Sequence, residues 1–267
     1  MNYKLLIFII LIYFNSNIYS QTYYNDSSFV YIKGGNFYSE KKKKEKVYGF
    51  YISKYEVTNL EYCKFLNKKK LSKDTLNKYI YLQKKECKIY LQDSIFKVEN
   101  GFENHPVVFV SWSGANAFCK FYNLRLPSET EWEYVAVKSK YFFFKNLFRK
   151  YKTYSGSNNA EYIAWFKNNS ENKVHNVGLK KPNKNGIYDM SGNVDEWCNN
   201  WYSADFKNTT KKGVYKVIKG GSWYNSEKML QIFNTRATNP KSQKATIGFR
   251  VVKDIATFCK KKWDTYY

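Results

Sequence analysis

Two segments toward the end of the chain carry the residue types best suited to chemistry. In the first, PNKNGIYDMSGNVDEW, Asp189 and Glu196 stand seven residues apart with Gly192 and Asn193 between them. Glycine and asparagine tolerate a sharp turn, and that turn can aim the carbonyls of Gly192 and Val194 toward the two carboxylates. Oxygen-only ligation of this kind suits Ca2+. A metal-free turn held by hydrogen bonds would use the same residues. The second segment, KGGSWYNS with IGFRVV downstream, sets glycines and buried-type aromatics at fixed spacings. Both segments have little helical or strand periodicity, so specific turns must hold them.

Other reactive side chains are sparse. The cysteines are Cys63, Cys87, Cys119, Cys198 and Cys259, with no CxxC pair. An oxidising compartment would permit a disulfide, but spacing leaves the pairing open. Cys63 and Cys119 sit among aromatics on helix-like faces and read as buried free thiols. His105 and His175 are the only histidines, too few for a histidine-based metal triad, and a structural role is expected for both.

The elements that must position these groups can be followed along the chain. Residues 29–37 (FVYIKGGNF) read as a strand entering a glycine turn, and residues 47–57 as a second extended run. Thr58 opens a capping box with Glu61, and the helix behind it turns Tyr62, Cys63, Phe65 and Leu66 to one face. Residues 68–104 are lysine-rich with weak periodicity and read as a surface insert. Residues 106–112 (PVVFVSW) read as a buried strand. Ser113 then caps a helix with Ala115, Phe118, Cys119 and Tyr122 at helical spacing. In RLPSETEWEYVAV, Ser128 and Glu131 form a second capping box, with Trp132, Val135 and Ala136 as the apolar face. Arg125 beside this acidic run is a candidate for a buried bidentate carboxylate pair. The run YFFFKNLFRKYK reads as a packed amphipathic helix or a partner-facing patch.

Composition narrows the function classes. The 267 residues carry a net charge of +23, which invites nucleic acid or an anionic surface. Only Arg125, Arg149, Arg236 and Arg250 are arginines, however, and phosphate and base readers draw on arginine's fork. The lysines are scattered apart from 41–44 and 260–262. Nucleic acid is therefore not the expected partner, and peripheral contact with an anionic surface stands as an alternative. Lys4, the apolar run LLIFIILIYF and the stretch ending at Ser20 make residues 1–20 a signal peptide, too short in its apolar part for a stable membrane span. The expected location is outside the cytoplasm: periplasmic, associated with the cell envelope, or secreted. The organisation expected is one domain over 21–267 with its core at about 29–252, the insert at 68–104 and a short basic tail at 253–267.

Taken in order, GGNF, YEVTNLEYCKFLN, HPVVFVSW with GANAFC, RLPSETEWEY, SGSNN, GIYDMSGNVDEW, GGSW and GFRVV resemble the formylglycine-generating enzyme (sulfatase-modifying factor) family. The resemblance implies a single compact α+β domain of the C-type lectin-like type, low in regular secondary structure and rich in long loops. It also implies a structural calcium site at Asp189, Gly192, Val194 and Glu196, with a second family site near Asn158 or Asn159. Family oxidases bind copper through two cysteines after GGS and convert a sulfatase cysteine to formylglycine. Here those two positions fall on Asn225 and Leu230, and the tryptophan of the oxygen pocket falls on Asp195, while Ser222 is kept. An amide and an aliphatic chain cannot replace thiolates for Cu(I), and the relatives with a histidine-based iron site find no counterpart.

The resemblance therefore points to a non-catalytic binding or structural module, of the kind found in gliding-motility and secretion-associated envelope proteins, with an envelope protein or peptide as partner. Gly220, Gly221, Trp223, Arg236, Gly248, Phe249 and Arg250 then serve the scaffold. An oxidase or protein maturase with an altered site, centred on Asp195, Ser222 and Asn225, is the competing expectation.

Overall fold

The computed structural model describes residues 26–39, 44–137, 151–202 and 213–255. The signal segment, most of the aromatic–basic run after Val137, Cys259 and most of the basic tail lie outside the described residues. Two small sheets organise the chain. In the first, β1 (Phe29–Ile32), β4 (Phe50–Ser53) and β11 (Val252–Asp254) lie antiparallel in the order β1-β4-β11, so the first and last strands share one partner. In the second, the order is β10 (Ile247–Gly248), β7 (Asp195–Trp201), β8 (Lys216–Lys219) and β9 (Arg236–Thr238); only β10 and β7 run parallel. Two hairpins complete the strands: β2 (Gly35–Tyr38) with β3 (Lys44–Val47), and β5 (Ile89–Gln92) with β6 (Ile95–Val98).

The described residues contain four α-helices, and local chemistry sets their starts. Helix α1 (Asn59–Lys69) opens on the expected capping box: the Thr58 N–H donates to Glu61 Oε2 at 2.8 Å, and the Glu61 N–H donates to Thr58 Oγ1 at 3.3 Å. Two orphan donors are thereby satisfied. Its buried face holds Tyr62, Cys63, Phe65 and Leu66. Helix α2 covers Lys73–Tyr79 and α3 covers Trp112–Phe121. Helix α4 (Glu129–Val137) repeats the box with Ser128 and Glu131 at 2.8 and 3.1 Å. Arg125 meets Glu131 through two bonds of 2.7 Å, the bidentate pair expected from its place in the sequence, and also reaches Asp254. This fork is a third exposed on the arginine side, so it is not the buried pair expected.

Many of the aromatic side chains meet in one core between α1, α3 and the second sheet. Tyr62, Phe65, Phe118 and Phe249 meet ring to ring, with centroids 5.3 to 6.1 Å apart. Each such side chain removed from water stabilises the fold by about 1.5–3 kcal/mol. A second core lies under the first sheet, with Ile32, Phe37, Phe50, Ile52, Trp132 and Val135 buried together.

Three local expectations need correction. Residues 106–111 are buried but form no continuous strand, and Trp112 already belongs to α3. Phe109 adopts φ +60°, which breaks strand geometry and leaves isolated bridges from Pro106 and Val110. The cap of α3 is Ser111 rather than Ser113: its Oγ accepts from the Gly114 N–H at 3.1 Å and donates to the Lys78 carbonyl at 2.5 Å. The lysine-rich insert is more than a surface excursion. It contains α2 and the β5–β6 hairpin, and its Leu76, Ile80 and Ile89 enter the main core while the lysines face water. Weak periodicity concealed this because only one residue in several points inward.

Among the described residues no helix is long and apolar enough to cross a membrane. The chain is a single α+β domain of helices and short sheets joined by long loops.

Candidate functional site

The Asp189–Glu196 loop makes the turn its sequence predicts. Asp189, Gly192 and Asn193 all take positive φ (57°, 89° and 58°). At Gly192 a side chain is barred twice over, since an added Cβ would collide with the Trp165 carbonyl. The Gly192 N–H donates to Gly220 O at 3.0 Å, and the Trp223 N–H donates to Asn193 O at 2.8 Å. The structure thus brings together the two segments that carry the candidate chemistry.

A buried charge cluster holds the loop. Glu196 and Arg250 are both fully buried and pair through two bonds of 2.6 Å, while Trp132 Nε1 donates to Glu196 Oε2 at 2.8 Å. Arg250 also donates to the carbonyls of Ser53, Lys54 and Tyr188. The sequence reading missed Glu56, which is 1% exposed. Its Oε2 accepts from Asn193 Nδ2 at 2.7 Å and its Oε1 from the Val194 N–H at 3.2 Å. No local pattern marks this carboxylate, because its partners lie 137 and 138 positions away.

Three carboxylates here face one guanidinium. Burial, then the charges of Asp189 and Glu196, push the Glu56 carboxyl well above the usual range, against the pull of Arg250 and Asn193. Burial likewise pushes Asp189 up to about 6, opposed by its bond from the Gly178 N–H and by Arg250. The surplus negative charge needs a proton or a cation to balance it.

Calcium fits part of the expected donor set. Asp189 Oδ1 is buried without a hydrogen-bond partner, the mark of a group awaiting a ligand. Glu196 differs, since both its oxygens already serve Arg250, and a cation it reached would sit beside a guanidinium. Among the described residues no three His, Cys, Asp or Glu side chains converge as a metal cluster. A cation would therefore depend on Asp189 Oδ1 and the carbonyls of Gly192 and Val194. Near the second family position, Asn158 Oδ1 accepts from the Thr153 N–H at 3.0 Å and Asn159 Oδ1 from the Glu161 N–H at 2.9 Å. Both oxygens are engaged as local turn caps.

The glycine turn that follows is built as scaffold. Ser222 is fully buried; its Oγ donates to Asn225 Oδ1 at 2.8 Å and its N–H donates to the same oxygen at 3.0 Å. The Asn225 N–H returns a bond to Ser222 O at 3.0 Å, so Asn225 closes the turn. Leu230 is fully buried with Tyr154, Ile163 and Phe166, and its Cδ2 lies 2.5 Å from where a Gly221 Cβ would stand. Asp195 pairs with Arg236 across the sheet. Cys198 is buried, and burial holds its thiol well above the normal range. His175 stacks on Trp165 at 3.8 Å and its Nε2 meets Ser170 O at 2.8 Å; His105 meets Phe102 at 4.8 Å with the rings tilted by 43°. Among the described residues the Ser222 hydroxyl has an amide oxygen, not a base, as its hydrogen-bond partner.

Short sheets, capped helices and long pinned loops closed by a buried Glu–Arg pair define a domain of the formylglycine-generating-enzyme, C-type lectin-like type. The solved structure of PvdO from Pseudomonas aeruginosa shares this fold, with a TM-score of 0.62 over 85% of this chain and 94% of that chain at 21% identity. Residues 16–255 match the sulfatase-modifying factor enzyme 1-like domain, and the chain belongs to that family. It is 33% identical over 219 residues to the serine/threonine-protein kinase Pkn1 of Chlamydia trachomatis serovar L2, covering 78% of this chain and 33% of that protein. The chain thus spans about a third of the length of such kinase relatives. It is 29% identical to the chaperone protein LppX of Paenibacillus barcinonensis over 84% of this chain and 88% of that one. It is also 31% identical to the formylglycine-generating enzyme of Thermomonospora curvata, over 57% of this chain and 56% of that one.

Proposed function

We propose that this chain is an exported, non-catalytic binding or structural module of the bacterial envelope, acting through a protein partner. The observation that carries this is the Ser222–Leu230 segment. By the motif resemblance, the positions where the family's oxidases place their copper thiolates fall on a turn-closing amide, Asn225, and a core aliphatic side chain, Leu230. Both are committed to the fold, and soft Cu(I) has no thiolate to bind there. Similarity to a chaperone along most of that protein's length supports a role exercised on another protein. The N-terminal signal pattern supports export, and envelope proteins of the gliding-motility and secretion-associated type carry such domains.

In this proposal Ca2+ is a structural brace. Asp189 and the carbonyls of Gly192 and Val194 are its ligands, and Glu196 with Arg250 forms the wall behind them. The ion would supply the charge balance that the buried carboxylates lack.

Incubation of the purified protein with a CxPxR peptide in oxygenated, copper-supplemented buffer tests the catalytic part. The expected mass spectrum shows an unmodified cysteine. Formylglycine appearing with turnover would reverse the assignment.

A further inference from the structure

We propose that the loops carrying Tyr162 and the 179–181 segment form a docking face for an acidic, apolar-containing segment of a partner protein. The inference rests on the chain being a binding module and names the face and chemistry it uses.

Tyr162, Leu179 and Tyr224 are 58%, 61% and 62% exposed, high values for apolar side chains on a folded domain. Isolated exposed apolar groups are ordinary. Here, however, the segments that carry Tyr162 and Leu179 are joined through the backbone. The Lys181 N–H donates to Tyr162 O at 3.1 Å, and the Lys167 N–H donates to Asn225 O at 3.0 Å beside Tyr224. Exposed apolar groups on joined segments make this face a candidate interaction site.

The cations among these groups are held in place. Lys180 Nζ donates to Glu161 O at 2.8 Å and lies 4.0 Å over the Trp165 ring, which also stacks on His175. Lys181 Nζ lies 5.4 Å over the Tyr162 ring. Among the described residues neither Lys180 nor Lys181 pairs with a carboxylate; the nearby Glu171 is taken by Lys173 at 2.6 Å, and Glu161 accepts from Asn169 at 3.0 Å. The face therefore offers charge without a counter-charge, set between rings.

Charge complementarity points to an acidic occupant. The tyrosines and Leu179 add rigid apolar contacts of the type that anchor protein interfaces, and fixed lysines lose less freedom on binding. A simple polyanion would engage the lysines and make no use of Leu179, and a lipid surface is the alternative that the vesicle arm decides.

The probe is a short fluorescein-labelled peptide alternating glutamate with leucine, followed by anisotropy against the full chain. Its glutamine counterpart and phosphatidylglycerol vesicles serve as controls. The glutamate peptide should bind at least about tenfold more tightly than the glutamine one. Lys180→Glu with Lys181→Glu, and separately Tyr162→Ser with Leu179→Ser, should each weaken it about tenfold. Tyr162, Leu179 and Lys181 are exposed and Lys180 is half-buried, and an unchanged melting temperature will show that the fold is intact. Absence of binding, equal affinity for the two peptides, or indifference to either double substitution overturns the proposal. Vesicle binding that either double substitution weakens would assign the face to a membrane and overturn it as well. Formylglycine turnover would refute the module reading without touching this result. Failure of peptide binding without turnover would leave the module standing with a different face.

Discussion

Arg250→Met is the sharpest perturbation of the buried cluster. Methionine fills much of the volume but removes both 2.6 Å bonds to Glu196 and the donors that serve Ser53, Lys54 and Tyr188. Glu196 would be left buried beside Glu56 and Asp189, whose charges already oppose one another. Breaking one side of a buried pair costs about 3–5 kcal/mol. A middle value of about 4 kcal/mol corresponds to a fall of about 8–16 °C in melting temperature for a domain of this size. Urea and thermal unfolding of the variant, beside Glu196→Gln and the double substitution, give the assay. The double variant should lose clearly less than the sum of the singles, because the lone buried charge is gone. A loss under about 1 kcal/mol for Arg250→Met, or simple additivity in the double, would refute the view that this pair holds the loop.

Three further outcomes follow from the same geometry. Added Ca2+ should raise the melting temperature of the unmutated protein, and Asp189→Ala should abolish that gain; absence of any calcium effect on the unmutated protein would remove the cation from the account. Leu230→Ala should cost about 2–5 kcal/mol in urea unfolding, as expected of a full core position, whereas a side chain poised in a reactive cleft would cost far less. Lys216 gives the pH dependence. Its Nζ lies 3.9 Å from the rings of both Trp112 and Trp201 and donates to Asn199 O, and burial pulls it down to about 8. A lysine whose folded pKa is depressed makes the fold bind fewer protons than the unfolded chain, so stability should climb from about pH 8 toward the unfolded lysine value. Relative to Lys216→Met the unmutated protein should gain stability over that window, and a flat difference would show that the two indoles offset the desolvation.

Much of the scaffold was legible because its signals are local. The boxes Thr58 with Glu61 and Ser128 with Glu131 are three-residue patterns, and the structure forms both. The apolar faces of α1, α3 and α4 followed from helical spacing, and the scarcity of arginine drew attention to Arg125, although its pair is only partly buried. The turn around Gly192 was likewise visible in the types of its residues.

What stayed hidden depends on distant partners. Glu56 reads as a solvated acid in a strand-like run, yet the Asn193 amide and the Val194 N–H make it the latch of the loop. Lys219, in the run KVIK, reads as a surface residue of a strand but is fully buried against Glu133 at 2.8 Å and Thr235 at 2.9 Å. The division of Asp189 from Glu196 could not be foreseen either. Both are carboxylates at suitable spacing, and only the arrival of Arg250 from the far end of the chain separates the paired one from the one with a free oxygen.

The central claim is that the family's copper position has become part of the fold. Competition for Cu(I) against a chromophoric chelator under anaerobic conditions tests it most directly, with the full chain at known concentration. The account predicts that the chelator keeps the metal, and that Asn225→Ala leaves the result unchanged. Stoichiometric withdrawal of Cu(I) by the unmutated protein would contradict it.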